Sequence, residues 1–426
     1  MRKALLLGAG FSFDLGMPLA VELTAVLVRL LHPRSARELA DHLVRQQPYG
    51  PDRPINASVV RAGMESYLKF AASGTPNYEA FLAELEQLAT GGSGTLSDRD
   101  SYHYLSSVFY QIIHELLVKF QLAAWRVLYP KNMPNFSGLR NLLNLNEETW
   151  VFSLNHDLNF ECLALDLGIP ITYGDYEQVS FLHSNLPGAR RMTFGVCARD
   201  QFVANGRGWI RGRFGANLVR LHGGLCELEY EDQSKFCNPV LADQTSAALM
   251  IEFRDIETMN HFTFGIPAPQ GHDRFISDVN GQVDIVRRAM RTGGRKYSRT
   301  TNVKHGEEKL TLLDSVLASV DELTVIGYGF GDQHVNYRIS NAMVKNERMR
   351  TNIIEPIGPR RPAFLEQFDY GDRIGGGRCG AAHWMQYVKD RTWDRAQTLS
   401  LEANKTLRQE VRDLVEAPTP WTQWSW

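Results

Sequence analysis

The chain has few cysteines: five, at Cys162, Cys197, Cys226, Cys237 and Cys379. No two stand at C-x-x-C spacing. That argues against a zinc ribbon or a disulfide framework and points to a reducing, cytoplasmic setting. An excess of charge is also missing, since 46 basic against 48 acidic residues leave a formal net charge of −2. Without a chain-wide basic footprint, no direct binding to nucleic acid is expected. No stretch reaches about eighteen uninterrupted apolar residues, so nothing reads as a membrane span. Repeats and low-complexity blocks are absent too. What remains is an ordinary globular composition, 43% hydrophobic and 22% charged over 426 residues. At roughly 150 residues per unit this length suits two to three structural units, and the composition excludes a disordered chain or a rod.

Met1-Arg2-Lys3 followed by Ala4-Leu5-Leu6-Leu7 imitates a signal peptide. The apolar run breaks at Gly8-Ala9-Gly10, however, and Asp14 follows with no small-x-small cleavage site in time. A buried first strand, Lys3 to Leu7, is the better reading. It runs through the glycine turn towards a helix from about Leu19 to Leu31, a strand–glycine loop–helix unit. From Ala36 to Leu145 the pattern is helical. The clearest helix spans Ser101 to Leu128, where Leu105, Phe109, Ile112, Leu116, Phe120, Ala123 and Val127 recur every three or four residues. Another spans Tyr78 to Leu88, and Gly91-Gly92-Ser93-Gly94 reads as a joint.

Short apolar strands return at Thr149 to Leu154, Asn217 to Leu221, Leu323 to Ile326 and Asn352 to Ile354. Strands of that kind suit the middle of a parallel sheet covered on both faces. The expected fold is therefore α/β, a Rossmann-like doubly wound parallel sheet with a large helical insertion. The core would comprise 1–18 and 146–356, the insertion 19–145. Residues 357–426 would form a helical extension, with a helix from about Trp393 to Val415 and a tryptophan-rich tail. Two stretches, roughly Gly174 to Arg213 and Leu228 to Lys304, read as irregular insertions. The second carries Arg287, Arg288, Arg291, Arg295, Lys296, Arg299 and Lys304, either a solvated or partner-facing surface or a phosphate contact. Trp421, Trp424 and Trp426 are expected to dock on the chain's own core or on a neighbouring subunit. With the long helical block, they point to a homo-oligomer.

Four strand ends carry polar signatures, and in a doubly wound sheet such loops converge on one crevice. The first is Gly8-Ala9-Gly10-Phe11-Ser12-Phe13-Asp14-Leu15-Gly16-Met17-Pro18. Its glycines suit either close approach to a pyrophosphate or a mere tight turn. The GxGxxG fingerprint is not met, because Phe13 stands in place of the third glycine. The second, Ser153-Leu154-Asn155-His156-Asp157, packs polar groups directly after a buried strand, as ligand contacts or as helix caps. The third is Leu221-His222-Gly223-Gly224, with a histidine that is either structural or a cleft base. The fourth, Gly327-Tyr328-Gly329-Phe330-Gly331-Asp332, is a second glycine-rich loop.

In this order the four elements resemble the sirtuin-like NAD-binding family. GAGFSFDLGMP corresponds to its GAGxSxxxGxP, SLNHD to TxNxD, LHGG to HG, and GYGFGD to the GYxFxD-type loop. The resemblance covers the sheet-forming segments, about half of the chain. Two departures stand out. Leu19-Ala20-Val21 replaces the Asp-Phe-Arg that helps build the acyl-lysine site of sirtuin deacylases, and the paired zinc cysteines of deacylases are missing. The chain thus looks like the bacterial sirtuin-like effectors of anti-phage defence, which hydrolyse NAD+.

That resemblance implies an NAD+ glycohydrolase with no metal. Asn155 and His222 would be the functional pair, His222 as a base on water or a ribose hydroxyl and Asn155 orienting either one. Asp157 would hold the ribose or face the developing cation. Gly8, Ala9, Gly10, Phe11, Ser12, Gly16 and Pro18 would form the diphosphate loop, with the Ser12 hydroxyl as a donor. Gly327, Tyr328, Gly329, Phe330, Asp332 and Glu355 would lie towards the adenosine end. The resemblance also implies control through self-assembly or a partner of the HerA-type ATPase or short Argonaute kind. Rival readings are a non-catalytic NAD or ADP-ribose sensor, an NAD-dependent deacylase and a conventional dehydrogenase. Because the cysteines lack ligand spacing, protein purified without added metal is expected to hold no stoichiometric zinc. Elemental analysis checks this, and one zinc per chain would restore the deacylase.

Overall fold

Lys3–Leu7, the first strand (β1), is buried almost completely from Ala4 to Leu7. Its alternate residues serve opposite sides. Leu5 and Leu7 join one hydrophobic cluster, and Ala4 and Leu6 join another. A strand that is apolar on both faces belongs at the centre of a sheet with covered faces. The structure is a computed structural model. It describes residues 1–46, 51–91, 94–182, 190–231, 233–258, 274–277, 283–291, 307–357, 362–368, 371–393 and 395–417.

Thirteen strands are described. After β1 come β2 (Glu148–Ser153), β3 (Ile171–Thr172), β4 (Glu177–Leu182), β5 (Arg191–Ala198), β6 (Gly215–Arg220), β7 (Leu228–Tyr230) and β8 (Lys235–Pro239). Then follow β9 (Arg274–Ser277), β10 (Val283–Arg288), β11 (Glu322–Ile326), β12 (Arg350–Ile354) and β13 (Ile374–Gly377). Seven of them form a parallel sheet in the order β13-β12-β11-β1-β2-β6-β3. The chain builds outward from β1 to one side through β2 and returns to its other side at β11. The fold is thus α/β, doubly wound and Rossmann-like, with a switch point between β1 and β11. Pairing is in register at the carboxyl ends: Leu7 opposes both Ser153 and Ile326, Ser153 opposes Arg220, Ile326 opposes Ile354, and Ile354 opposes Gly377. The loops that follow these strands therefore leave the sheet from one row.

One face is covered by the helical block and by the C-terminal helices, the other by Glu307–Leu317 and Gln333–Lys345. The long helix is Leu96–Val127, five residues longer at its start than the apolar periodicity indicates. A capping box explains the extension: Thr95 Oγ1 accepts from Asp98 N at 3.2 Å, and Asp98 Oδ2 accepts from Thr95 N at 2.9 Å. Asn77 caps Tyr78–Thr90 with a single bond, accepting from Glu79 N at 3.0 Å. Beyond Pro356 the chain adds β13 to the sheet edge, then helices Ala381–Asp390 and Arg395–Glu416. The last of these packs along the long helix. Among the described residues no helix is long and apolar enough to cross a membrane.

The described parts of the two stretches read as irregular are not irregular. They supply a second, six-stranded sheet in the order β4-β5-β8-β7-β10-β9, antiparallel throughout its described pairs. Its strands are short and interrupted, with Gly195 inside β5 and Pro239 ending β8, so local pattern hides them. Of the basic cluster, Arg288 is buried against Glu257 and Gln111, and Arg291 pairs with Glu229. Arg295, Lys296, Arg299 and Lys304 lie outside the described residues, as do Trp421, Trp424 and Trp426.

Asp175 sits where the two sheets join, with its carboxylate packed on Gly195 and its Oδ1 buried without a hydrogen-bond partner. Burial pushes its carboxyl up to about 7, and a hydrogen bond with Asn238 offsets this only in part. A raised folded-state value means the neutral form favours folding. That contribution is full below the ordinary carboxylate value and is lost as pH rises to about 7. Asp175→Asn is expected to remove the loss, on the order of 1–3 kcal/mol after allowance for partial solvent access. Melting curves from pH 4 to 8 check it: the variant's advantage should grow up to about pH 7 and then level off.

Candidate active site

The first and fourth loops meet backbone to backbone. Gly8 N donates to Ile326 O at 3.0 Å and Gly10 N to Gly327 O at 2.9 Å. A methyl group on Gly327 would stand 2.4 Å from Gly10 C and from Phe11 N, and its φ of +65° lies in the left-handed region. One on Gly8 would stand 2.6 Å from Gly327 O. These glycines hold the two loops in contact at the switch point. Two amides of the first loop are thereby spent on the protein itself.

The second loop locks onto the first. Asn155 Nδ2 donates to Gly8 O at 2.9 Å and to Ser12 Oγ at 3.2 Å. Ser12 Oγ donates to Asp157 Oδ1 at 2.9 Å, and Asn159 N donates to the same oxygen at 2.9 Å. Asp157 is buried, and desolvation raises its carboxyl above the ordinary value despite these bonds. Gln121 on the long helix accepts from Leu158 N at 2.8 Å, so the helical block supports this loop directly.

The third loop is braced by the second. His156 Nδ1 lies 3.0 Å from Gly223 O, and Leu225 N donates to His156 O at 2.9 Å. Gly223 has φ +70°, and a Cβ there would meet Ala289 O at 2.0 Å. Arg220, just before the loop, is buried and ion-paired with Glu161. His222 points to the fourth loop: its Nε2 lies 2.9 Å from Asp332 Oδ2.

Above the row of strand ends lies a cavity of about 1170 Å³. Gly8, Ala9, Gly10, Leu154, Asn155 and His222 line it, together with Gly327, Tyr328, Gly329, Gly331, Asp332 and Glu355. A Cβ on Gly329 or Gly331 would meet nothing within 4 Å. Asn155 reaches the wall with its amide nitrogen already committed, so its Oδ1 is the acceptor left to offer. Other residues singled out in the sequence stand behind the wall. Asp157 and Ser12 form the buried bond described above. Phe11 is core, edge-on to Phe136 at 5.7 Å. Gly16 abuts Ala124, Pro18 is buried, and Phe330 packs on Tyr328 and Phe364. Asp332, expected near the adenosine end, stands against His222.

Much of the remaining wall comes from the chain beyond Pro356, which no motif marked: Arg378, Cys379, His383, Trp393, Glu402 and Lys405 all line the cavity. Phe13, Asp14 and Leu19 from the first loop, and Asn77 and Glu79 from the helical block, line it as well. Arg378 follows β13 in the same row of strand ends, so only its strand's register could have revealed it. Burial pushes the Cys379 thiol up to about 11, which leaves it protonated and poorly nucleophilic at neutral pH. Among the described residues no group of three or more His, Cys, Asp or Glu side chains gathers as a metal site.

No family model matches the chain, and no curated protein matches it. Among solved structures it is similar to a Sir2 homologue–NAD complex at 12% identity, covering 96% of this chain and 90% of that one, with a TM-score of 0.32. A second likeness is to a structure describing the mechanism and regulation of Sir2 enzymes. It has 9% identity, covers 96% of this chain and 93% of the other, and has a TM-score of 0.27. At these scores the likeness defines neither a site nor an activity; the sheet order and the cavity carry the reading that follows.

The C-terminal wall is clamped to the first loop mainly by the Arg408 side chain. Arg408 lies over the Phe13 ring at 3.5 Å, donates to Phe13 O, and pairs with Glu22 at 2.9 Å. Ala382 N adds a bond to Asp14 Oδ2 at 3.2 Å. Arg408→Ala is expected to cost about 2–4 kcal/mol, as for a mostly buried pair losing one partner. Hydrogen exchange should then rise together in residues 9–19 and 395–416 while β2 and β6 stay protected. Equal protection in both segments would show that the clamp is not needed.

Proposed function

We propose that the chain is a sirtuin-like NAD+ glycohydrolase that cleaves the nicotinamide–ribose bond to give nicotinamide and ADP-ribose. The observation that supports this best is the meeting of all four polar strand-end loops at one cavity, with His222 and Asn155 both on its wall. Its volume is ample for a dinucleotide, since drug-sized ligands fill roughly 300–1,000 Å³. Arg378 and Lys405, the latter 2.6 Å from Glu402 Oε1, are cations on the wall that would meet the diphosphate; the Ser12 hydroxyl and the Gly8 and Gly10 amides are engaged elsewhere. Gly329 and Gly331 leave open space for the ligand to pass close to backbone.

In hydrolysis the C1′–N bond breaks and its electron pair leaves with nicotinamide, which becomes neutral. Water attacks C1′ of the oxocarbenium-like centre and gives up a proton. His222 would take that proton, directly or through a ribose hydroxyl. Asn155 Oδ1 would orient the water or the ribose. Asp157, from its buried position, serves by holding Ser12 and the Asn155 loop in place. We further propose a role in anti-phage defence by NAD+ depletion, in the cytoplasm. Activity would be governed by assembly of the chain with itself or with a partner ATPase or short Argonaute.

The test is nicotinamide release from NAD+ by the purified chain, with and without the product of a neighbouring gene. His222→Ala is expected to lose roughly 10²–10⁴ in turnover with its melting temperature nearly kept. Asn155→Ala should lose about 10² in turnover and also some stability, since it releases Gly8 O and Ser12 Oγ. Binding of NAD+ without turnover under every condition would identify a sensor, and release that requires acetyl-lysine a deacylase. Folded His222→Ala protein with wild-type turnover would remove His222 from the mechanism.

A further inference from the structure

Beyond β13 the chain builds a column of aromatic rings. Gly377 ends β13, and a methyl group there would stand 3.0 Å from the Trp384 ring, so that ring rests against the strand end. Trp384 lies 5.4 Å from Tyr387 between ring centroids, at 30°. Tyr387 in turn stacks on Trp393 at 4.8 Å and 17°. Trp384 and Tyr387 stand three residues apart on the helix Ala381–Asp390, where such pairs are surface neighbours. His383, one turn before Tyr387 on the same helix, lines the cavity. The helix stops at Arg391, which has a left-handed φ of +56° and donates its N–H to Tyr387 O at 2.8 Å. That turn reverses the chain and lays Trp393 back over Tyr387.

Trp393 is 58% exposed and lines the cavity. Tyr387 covers one face of its indole, so the exposed surface includes the opposite face. A large rigid ring left open to water on the wall of a cavity suits a flat ligand ring. Its plane is already fixed by the two rings behind it, and a ligand that stacks there pays little for ordering the protein.

The sheet order says which ring it would be. A dinucleotide lies across the switch point of a doubly wound sheet, with one half on each side. Asn155 and His222 follow β2 and β6, on one side of β1, whereas β11, β12 and β13 lie on the other. From β13 it is four strands to β2 and five to β6. At about 4.8 Å per strand this is roughly 19 and 24 Å. With the nicotinamide–ribose bond at Asn155 and His222, the ring on the β13 side is adenine. Arg378, next after Gly377, lines the same wall as a cation for the phosphate of that half.

We infer that Trp393 is the stacking platform for the adenine ring, with Tyr387 and Trp384 holding its plane. The ligand's identity rests on the NAD+ reading above, but the platform does not require that the chain hydrolyse it.

Calorimetric titration of the full chain tests this with two probes. ADP-ribose carries the adenine, and nicotinamide mononucleotide does not. Trp393→Ala is expected to melt close to the wild type, because its ring is more than half exposed. It should weaken ADP-ribose binding roughly 5- to 150-fold, the loss of one stacked base. Trp393→Phe should restore most of that affinity and Trp393→Leu should not, since only the first keeps a π-face. Nicotinamide mononucleotide should bind all four proteins alike. ADP-ribose binding that ignores Trp393→Ala would overturn the inference, and so would a loss confined to nicotinamide mononucleotide. Unchanged affinity with a smaller assembly in light scattering would make Trp393 a subunit contact instead. A wild type that binds no ADP-ribose also overturns it. A wild type that binds ADP-ribose through Trp393 yet releases no nicotinamide from NAD+ leaves the platform standing and removes the glycohydrolase.

Discussion

Everything at the site depends on how closely two backbones approach. Gly8 and Gly10 on one side and Gly327 on the other are packed so tightly that a single methyl group on any of them would collide with main-chain atoms. That contact joins the ends of β1 and β11 at the point where the chain reverses its direction across the sheet. The in-register strand ends then deliver the remaining loops to the same level. With the glycine contact made, the second loop can reach Gly8 O through Asn155, and the fourth can bring Asp332 to His222. A looser junction would leave these buried polar groups without partners, at a cost of about 1–3 kcal/mol each.

The polar groups around the cavity belong to two classes with different tasks. Ser12, Asp157, Asn159 and Gln121 bond to one another and to the backbone of the second loop behind the wall. His222, Asp332 and Asn155 stand at the wall itself, each with part of its hydrogen-bonding capacity used for positioning. This division explains why a motif read as a row of ligand contacts contains residues that never touch the cavity. A strand end needs internal partners for its buried polar atoms before it can present any to a ligand. The same logic covers Arg220, whose charge is answered inside the fold by Glu161.

The C-terminal region is part of the site, not an appendage. β13 pairs with β12 and so places Arg378 beside Glu355 along the row of strand ends. The last helix lies on the long helix of the insertion, and Arg408 ties it to the first glycine loop. Two segments outside the motif-bearing core are therefore coupled through the loop that begins the chain. Asn132 of the helical block bonds Asp14 O, and Arg408 of the last helix bonds Phe13 O and Met17 O.

How much of this was legible in the sequence follows from the range of each signal. β1, β2, β6, β11 and β12 are short apolar runs whose own residues demand burial on both faces, and they could be located without the fold. The glycines and polar residues after them marked the loops, and the doubly wound order implied that those loops meet. The long helix declared itself through its periodicity, and its true start depended on the local Thr95–Asp98 box. The second sheet did not declare itself, because its strands are short and broken by residues such as Gly195 and Pro239, although most of them pair with a neighbour in sequence. Nor did the wall built from Arg378, Trp393 and Lys405, whose residue types are ordinary on any surface. The sequence by itself determined which segments must be buried and which strand ends must be polar, since burial and hydrogen bonding act residue by residue. Only the tertiary structure decided that Asp332 faces His222, that Asp157 turns inward and that the C-terminal helices close the cavity. Those outcomes depend on strand register and on which distant backbone happens to leave room.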